Sequence, residues 1–402
     1  MERYERLLCC LLKCALLEKP FNNMESYTEY ELDNAVKTAM KHSVLPLLYD
    51  TLNYAERGTD MLESVSLQTI QQSYHLLFLS KYVADLLLSS GIKVILLKGS
   101  STAALYPVPE LRKSGDVDLL FENRQEAGRA CVVLKKAGFN IKKEQHAHHH
   151  IACISPDGID VELHSMLVEP FDSNRVNNYL EKVKEGIFKN TCTEDILGVR
   201  LPVLSKPFHA FYLLLHMLQH FLRSGFGLKL MCDWVVFWNM EITKEDKEVF
   251  LKLVKESGTY GFAGILSQAC VYYLGLERDK VSFILDMENN DGYSMDSAGT
   301  LEFMKEVFEA GEFGKSSPDR MVVLRSKGIL LPFIREFHHQ MKLNYPKAGR
   351  IVFIWPVLWV LAFAGFIHRN KSIRNVTGSA IIKKAVQRSF IVEKMKLFKK
   401  MK

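Results

Sequence analysis

The 402-residue chain has eight cysteines but no CxxC pair and no CxxC…CxxC array. That absence leaves a structural zinc site without support. Cys9, Cys10 and Cys14 cluster, with Cys10 and Cys14 one helical turn apart, and read as buried thiols on an apolar helix face. The opening Met1-Glu2-Arg3-Tyr4-Glu5 is not a signal-peptide start, and no small-residue cleavage site follows a clean apolar core. A reducing, cytoplasmic setting is therefore expected. Long apolar runs are also scarce. Ile351 to Ile367 is seventeen residues without a charge, but Pro356 and Gly365 interrupt it. As a helix it would reach about 25 Å, short of the roughly 30 Å hydrocarbon core. It is expected to be a helix partly buried on the protein and partly available to a bilayer surface.

Excess charge is missing from most of the chain as well. The net charge is +6, yet residues 369–402 hold eleven Lys/Arg against one acid, Glu393. That end carries +10, which leaves −4 for the preceding 368 residues. No basic, aromatic-interleaved track crosses the body, so no nucleic-acid partner is expected and a template-directed polymerase is unlike this chain. The basic end, with Ile382, Val386 and Phe390 at i+4 spacing, suits anionic lipid headgroups. A solvated, frayed end is the competing reading.

What is present is concentrated between Lys93 and Phe121. Val94 to Leu97 is a continuous apolar run, as in a strand buried on both faces. Gly99-Ser100-Ser101 follows at once, and a short helix is expected over Thr102–Leu105. Glycine permits close backbone approach, and a helix start offers unpaired N–H groups, a geometry that suits phosphate. Asp116 and Asp118 lie two apart on the next apolar strand. Both carboxylates then project to one face while Val117 and Leu119 enter the core. Such a pair can share divalent cations, which prefer hard oxygen ligands. Ile159, Val161 and Leu163 alternate with Asp160, Glu162 and His164 on a later strand, so the polar three share a face.

These features resemble the polymerase-β-type nucleotidyltransferase superfamily. The fuller pattern Leu97-Lys98-Gly99, Leu105-Tyr106-Pro107, Arg112 and Gly115-Asp116-Val117-Asp118-Leu119-Leu120 resembles its large, poorly characterised nucleotidyltransferase family. The resemblance implies a third carboxylate on a later strand, a place taken by Glu162, where many members carry Asp. It also implies two Mg²⁺ (or Mn²⁺) ions held by Asp116, Asp118 and Glu162, with an NTP and an acceptor as substrates. Gly99 and Ser100 would cradle phosphates, and Lys98 and Arg112 would neutralise triphosphate charge. A catalytically inactive membrane-surface scaffold and a metal-dependent phosphohydrolase are the alternatives.

The expected fold is α+β: a small mixed sheet carrying the acids on one edge, with N-terminal helices and a C-terminal helical domain. Residues 1–90 are expected to be helical, 91–200 to form the core, 201–345 a helical domain, and 346–402 an apolar helix and basic tail. The helices expected first are Arg6–Leu17, Glu29–Leu52 interrupted near Pro46, and Leu67–Ser90. His146, His148, His149 and His150 read as a polar loop with His150 near the cleft, since neighbouring residues on an extended chain alternate faces. His209, His216 and His220 share one helix face. The resemblance gives His164, His216, Lys229 and Asp233 acceptor or supporting roles. Lys229 and Asp233 are also spaced for an ion pair within one helix.

Overall fold

In the computed structural model, residues 1–142, 150–223, 225–290, 297–312, 338, 341–342, 345, 348–368 and 391–398 are described. His146, His148 and His149, the Ile382/Val386/Phe390 repeat and most of the loop after Gly311 lie outside them.

The N-terminal helices are α1 (Arg3–Leu16), α2 (Glu29–Lys41), α3 (Tyr49–Tyr54) and α4 (Asp60–Ser89). Thr28 starts α2 through a capping box with Glu31. The single helix expected over Glu29–Leu52 is two helices. Ser43, at φ +55°, and a 3-10 turn at Pro46–Leu48 separate them. α4 begins earlier than apolar spacing suggested, because the Thr59 side chain caps it by accepting from the Leu62 amide.

The core follows as β1 (Ile95–Leu96), α5 (Ser100–Ala103), β2 (Asp116–Leu120), α6 (Arg124–Lys136), β3 (Asn140–Ile141), β4 (His150–Ile154), β5 (Asp160–His164), α7 (Asn174–Lys189), β6 (Cys192–Ile196) and β7 (Val199–Val203). Among the described residues one seven-stranded sheet forms, in the order β3-β4-β5-β2-β1-β7-β6. β2 pairs parallel with β5 and antiparallel with β1, and β1 pairs parallel with β7. β2 is therefore the central strand, and the acids lie at the middle of the sheet, not on its edge. Sequence spacing could not place them, because which strands flank β2 is settled by long-range pairing with β5 and β1 and not by any local pattern.

The pleat sorts the side chains. Val117, Leu119, Val161 and Leu163 point to one face and pack with α4 and α6 in a single cluster. Asp118 and Leu120 point to the other, where Leu120 joins the larger core of the helical region.

That region comprises α8 (Lys206–Arg223), α9 (Leu228–Asn239), α10 (Lys244–Ser257), α11 (Tyr260–Tyr273), α12 (Arg278–Asn290) and α13 (Ser297–Ala310). α8 and α9 are buried almost throughout, with Trp234 and Trp238 among the largest enclosed side chains. α1 packs into the same core, so the N-terminal helices and the helical region share one hydrophobic interior. The apolar segment near the C-terminus forms α14 (Trp355–His368). No helix among the described residues is long and apolar enough to cross a membrane.

Residues 391–398 are not frayed. Ile391, Val392 and Met395 are buried in the main core. The Phe398 amide donates to the Gly258 carbonyl at 2.7 Å, and Arg175 Nη2 donates to the Phe398 carbonyl at 2.9 Å. Gly261 is required for this docking, since a Cβ there would stand 2.2 Å from the Met395 carbonyl oxygen.

Candidate active site

Strand register assembles the acids. Asp116 lies opposite Asp160, Asp118 opposite Glu162, and Leu120 opposite His164. The alternation read from both segments thus coincides across the β2–β5 pair. Asp116, Asp118 and Glu162 each offer a carboxylate oxygen, and these atoms lie within 4.8 Å of one another. On the other side of β5, His150 lies opposite His164. His150, Glu162 and His164 form a second group of ligand atoms within the same 4.8 Å limit.

Two cations already attend the carboxylates. Lys98 Nζ lies 3.0 Å from Asp118 Oδ2 and 3.3 Å from Asp116 Oδ2. Burial alone would lower its pKa, but the two carboxylates outweigh burial and raise it well above the ordinary lysine value. His164 Nε2 lies 3.0 Å from Asp118 Oδ1 and 3.2 Å from Glu162 Oε2. Burial opposes its charge too, yet those hydrogen bonds carry its pKa up to about 9. Asp118 and Glu162 are shifted down. Burial opposes this in both, while Lys98 and His164 act on Asp118, and His164 on Glu162. The four groups form a charge cluster that is ionised at neutral pH.

The donors fit a divalent metal. Asp118 Oδ2 is buried, with the Lys98 ammonium 3.0 Å away as its neighbour. An acceptor oxygen so placed is suited to a cation. Asp116, Asp118 and Glu162 make an all-oxygen set of the kind Mg²⁺ or Mn²⁺ takes. The His150–Glu162–His164 set mixes nitrogen and oxygen and has borderline character.

The glycine turn stands at the same place. Gly99 has φ +77° and ψ −114°, a conformation costly for any residue with a Cβ. Its Cβ would meet only the Asp116 carbonyl oxygen, at 3.6 Å. The conformation, not crowding, calls for glycine. The turn swings the chain from β1 into α5, which begins at the buried Ser100.

Two cavities open on the acids. One, of about 330 Å³, is lined by Lys98, Gly99, Lys113, Ser114, Lys229 and Glu312, among others. The other, of about 280 Å³, is lined by His150, His164, Tyr212, Gln219, His220 and Arg223, among others. Asp116, Glu162, Lys98 and His216 line both. A larger cavity, about 610 Å³, lies between the end of α1 and the Tyr106–Leu111 segment and contains none of these acids. Volume alone would select the wrong place.

The remaining expected residues are distributed around this centre. His216 and His220 face each other with Nε2 atoms 3.1 Å apart. Burial, then neighbouring positive groups, lowers both pKa values, His220 to about 3, so this pair is neutral. His209 shares their helix but turns elsewhere, with Nε2 3.1 Å from Thr102 Oγ1. Arg112 lines the first cavity, but its guanidinium is engaged by Asp233. Nε and Nη2 each donate at 2.7 Å to the two carboxylate oxygens. Tyr106 donates its hydroxyl to the same Asp233 at 2.7 Å, and Arg112 Nη1 donates to Ser114 at 2.6 Å.

The ion pair expected within α9 between Lys229 and Asp233 is replaced by two long-range pairs. Lys229 Nζ reaches Glu312 at 2.9 Å, and Ser43 donates to the other Glu312 oxygen at 2.6 Å. Burial opposes the Glu312 charge, but Lys229 and Ser43 bring its pKa down to about 2. Glu312 was not foreseeable from local spacing, since it follows α13 without a recurring pattern. Tyr212, His220, Glu169 and Arg223 were missed as lining groups for the same reason. Tyr212, His220 and Arg223 lie on α8 and Glu169 lies between β5 and α7, so tertiary packing alone brings them together.

A mixed sheet presenting three carboxylates beside a glycine turn, with a helical region closing the cleft, defines a nucleotidyltransferase class of fold. The family model described as uncharacterised nucleotidyltransferase matches residues 28–274, more than half of the chain. The chain belongs to that family. A solved structure of an antigenic nucleotidyltransferase-like protein from Paracoccidioides brasiliensis is similar at 16% identity and a TM-score of 0.32, covering 52% of this chain and 92% of that one. Among curated proteins no match is found.

Proposed function

We propose that the protein transfers a nucleoside monophosphate from an NTP to a hydroxyl-bearing acceptor, using Mg²⁺ or Mn²⁺ held by Asp116, Asp118 and Glu162. The observation that carries this reading is the convergence of those carboxylates within 4.8 Å beside Lys98 and the Gly99 turn. When bound, a divalent pair stabilises both the attacking and the leaving oxygen of an in-line displacement at phosphorus.

The chain's own groups then have distinct work. The first cavity supplies Lys98, Lys113 and Lys229, cations suited to a triphosphate. The backbone at Gly99 and Ser100 offers N–H groups to the terminal phosphates. Lys98 neutralises the carboxylates before substrate arrives and remains within reach of an incoming phosphate. His164 ties Asp118 to Glu162 and fixes both carboxylates. The second cavity, where the neutral His216 and His220, Tyr212 and Gln219 stand beside the Arg223–Glu169 ion pair, suits a hydrogen-bonding acceptor.

Incubation with each labelled NTP, Mg²⁺ or Mn²⁺ and a cell extract tests the reading. Label should move to an acceptor with the wild-type chain and not with Asp116→Asn/Asp118→Asn. Equal transfer by both defeats the assignment. Free phosphate without transferred nucleotide would make the protein a phosphohydrolase. Absence of metal-dependent NTP binding in calorimetry would make it an inactive scaffold.

A further inference from the structure

α14 turns apolar side chains outward. Leu358 and Ala362 face inward, where they pack with Met341, Tyr345 and Trp355. Val357, Val360 and Leu361 are 61%, 67% and 50% exposed, and Phe353 just before the helix is 94% exposed. Their spacing puts them on one helix face. Ile351 and Val352 extend the patch. A surface helix ordinarily carries polar residues on this side. Here the outward side holds no charge, and contiguous exposed patches of this kind mark interaction sites.

Length restricts the partner. α14 has 14 residues, so it extends only about 21 Å, less than the roughly 30 Å hydrocarbon core. Among the described residues no helix is long and apolar enough to cross a bilayer, and α14 is of a length to lie in its surface. Charge restricts the partner further. The chain that follows α14 carries eleven basic residues against one acid. A second copy of this chain is disfavoured, because pairing two such faces would bring two strongly positive segments together. An apolar face joined to a basic segment matches a layer that is apolar below and negative above. The basic segment is also fastened to the body at its far end, through Ile391, Val392 and Met395. Lipid contact would therefore hold the body itself at the surface.

We propose that α14 is a docking surface for an anionic bilayer and lies along the interface, the basic residues that follow it in the sequence giving the preference for negative charge. Sedimentation of the full chain with phosphatidylcholine vesicles, with and without phosphatidylserine, tests this. Binding should require phosphatidylserine and fall at high salt. Val360→Glu/Leu361→Glu removes two exposed apolar groups and should lower the partition coefficient about tenfold or more. Both side chains are outside the core, so circular dichroism and the thermal midpoint should stay at wild-type values. Lys383→Glu/Lys384→Glu should lower binding to phosphatidylserine vesicles by about tenfold or more, with little effect on plain ones. Failure to bind either vesicle type overturns the proposal. So does binding that ignores lipid charge and salt, or a dimer in light scattering that Val360→Glu/Leu361→Glu dissolves.

Discussion

Replacing Asp233 by Asn tests whether Arg112 is held for architecture. The two side chains are 1% and 5% exposed, and both guanidinium–carboxylate bonds are 2.7 Å. Asn keeps the shape but removes the charge and turns one acceptor oxygen into a donor. Arg112 would then be a buried cation without its counter-ion, and Tyr106 would compete for the remaining oxygen. Breaking a buried pair from one side costs about 3–5 kcal/mol. Total stability of a folded domain is only about 5–15 kcal/mol, so much of it would go. At about 2–4 °C per kcal/mol the thermal midpoint should fall by roughly 6–20 °C. Arg112→Met/Asp233→Leu removes both charges and should cost much less than the two single replacements added together. Its residual cost is the Tyr106 hydroxyl left without an acceptor, about 1–3 kcal/mol. Urea denaturation of the wild type, Arg112→Met, Asp233→Leu and the double variant completes the cycle, with Asp233→Asn measured beside it. A loss below about 1 kcal/mol for Asp233→Asn, or strict additivity, refutes the reasoning. Arg112 would then be available for a substrate phosphate instead.

Further outcomes follow from the same geometry. Mg²⁺ or Mn²⁺ should raise the wild-type thermal midpoint, by about 2.7 kcal/mol of stabilisation at a hundredfold excess over Kd, and Asp116→Asn/Asp118→Asn should abolish the rise in differential scanning fluorimetry. Without metal, His164 contributes stability that is fully present below its ordinary pKa of 6.5 and is lost as pH rises through about 9. The total is about 3 kcal/mol, and His164→Gln should flatten stability over that window in pH-dependent urea melts; an unchanged slope removes the charged-histidine account. Gly261→Ala forces a Cβ onto the Met395 carbonyl, so protease should cut at Lys394 or Lys396 faster than in the wild type, at a cost of about 1–3 kcal/mol. Unaltered cleavage would show that the 391–398 segment is not docked through Gly261.

The strand bearing Asp116 and Asp118, and the strand bearing Glu162 and His164, were legible because a two-residue period is local. Each acid is separated by an apolar residue whose burial fixes which way the acid points. The Gly99 turn was legible for a similar reason, since small residues directly follow an apolar run. The long-range pairs were not. Arg112 and Asp233 are 121 positions apart, and Lys229 and Glu312 are 83 apart. Lys229 and Asp233 have a spacing that satisfies an intrahelical pair, yet tertiary partners outcompete it because both groups are buried where α9 meets other elements. The central position of β2 was hidden too. β2 lies between β5 and β1, and the pairing of strands far apart in the chain leaves no local trace in the sequence. The inward turn of residues 391–398 was hidden because Glu393, Lys394 and Lys396 stand among the three apolar side chains that do the packing, inside a strongly basic stretch.

The pairing of Asp118 with Glu162 across two neighbouring strands also makes the chemistry inseparable from folding. Were β5 to slide one residue along β2, Val161 and Leu163 would come to the cleft, and Glu162 would turn toward the helices behind the sheet. An error of about 3.3 Å would thus disperse the carboxylate cluster and wet the core in a single step. A chain misaligned in this way could not persist as a folded but inert protein, so any well-packed copy carries its carboxylates already aimed at one another.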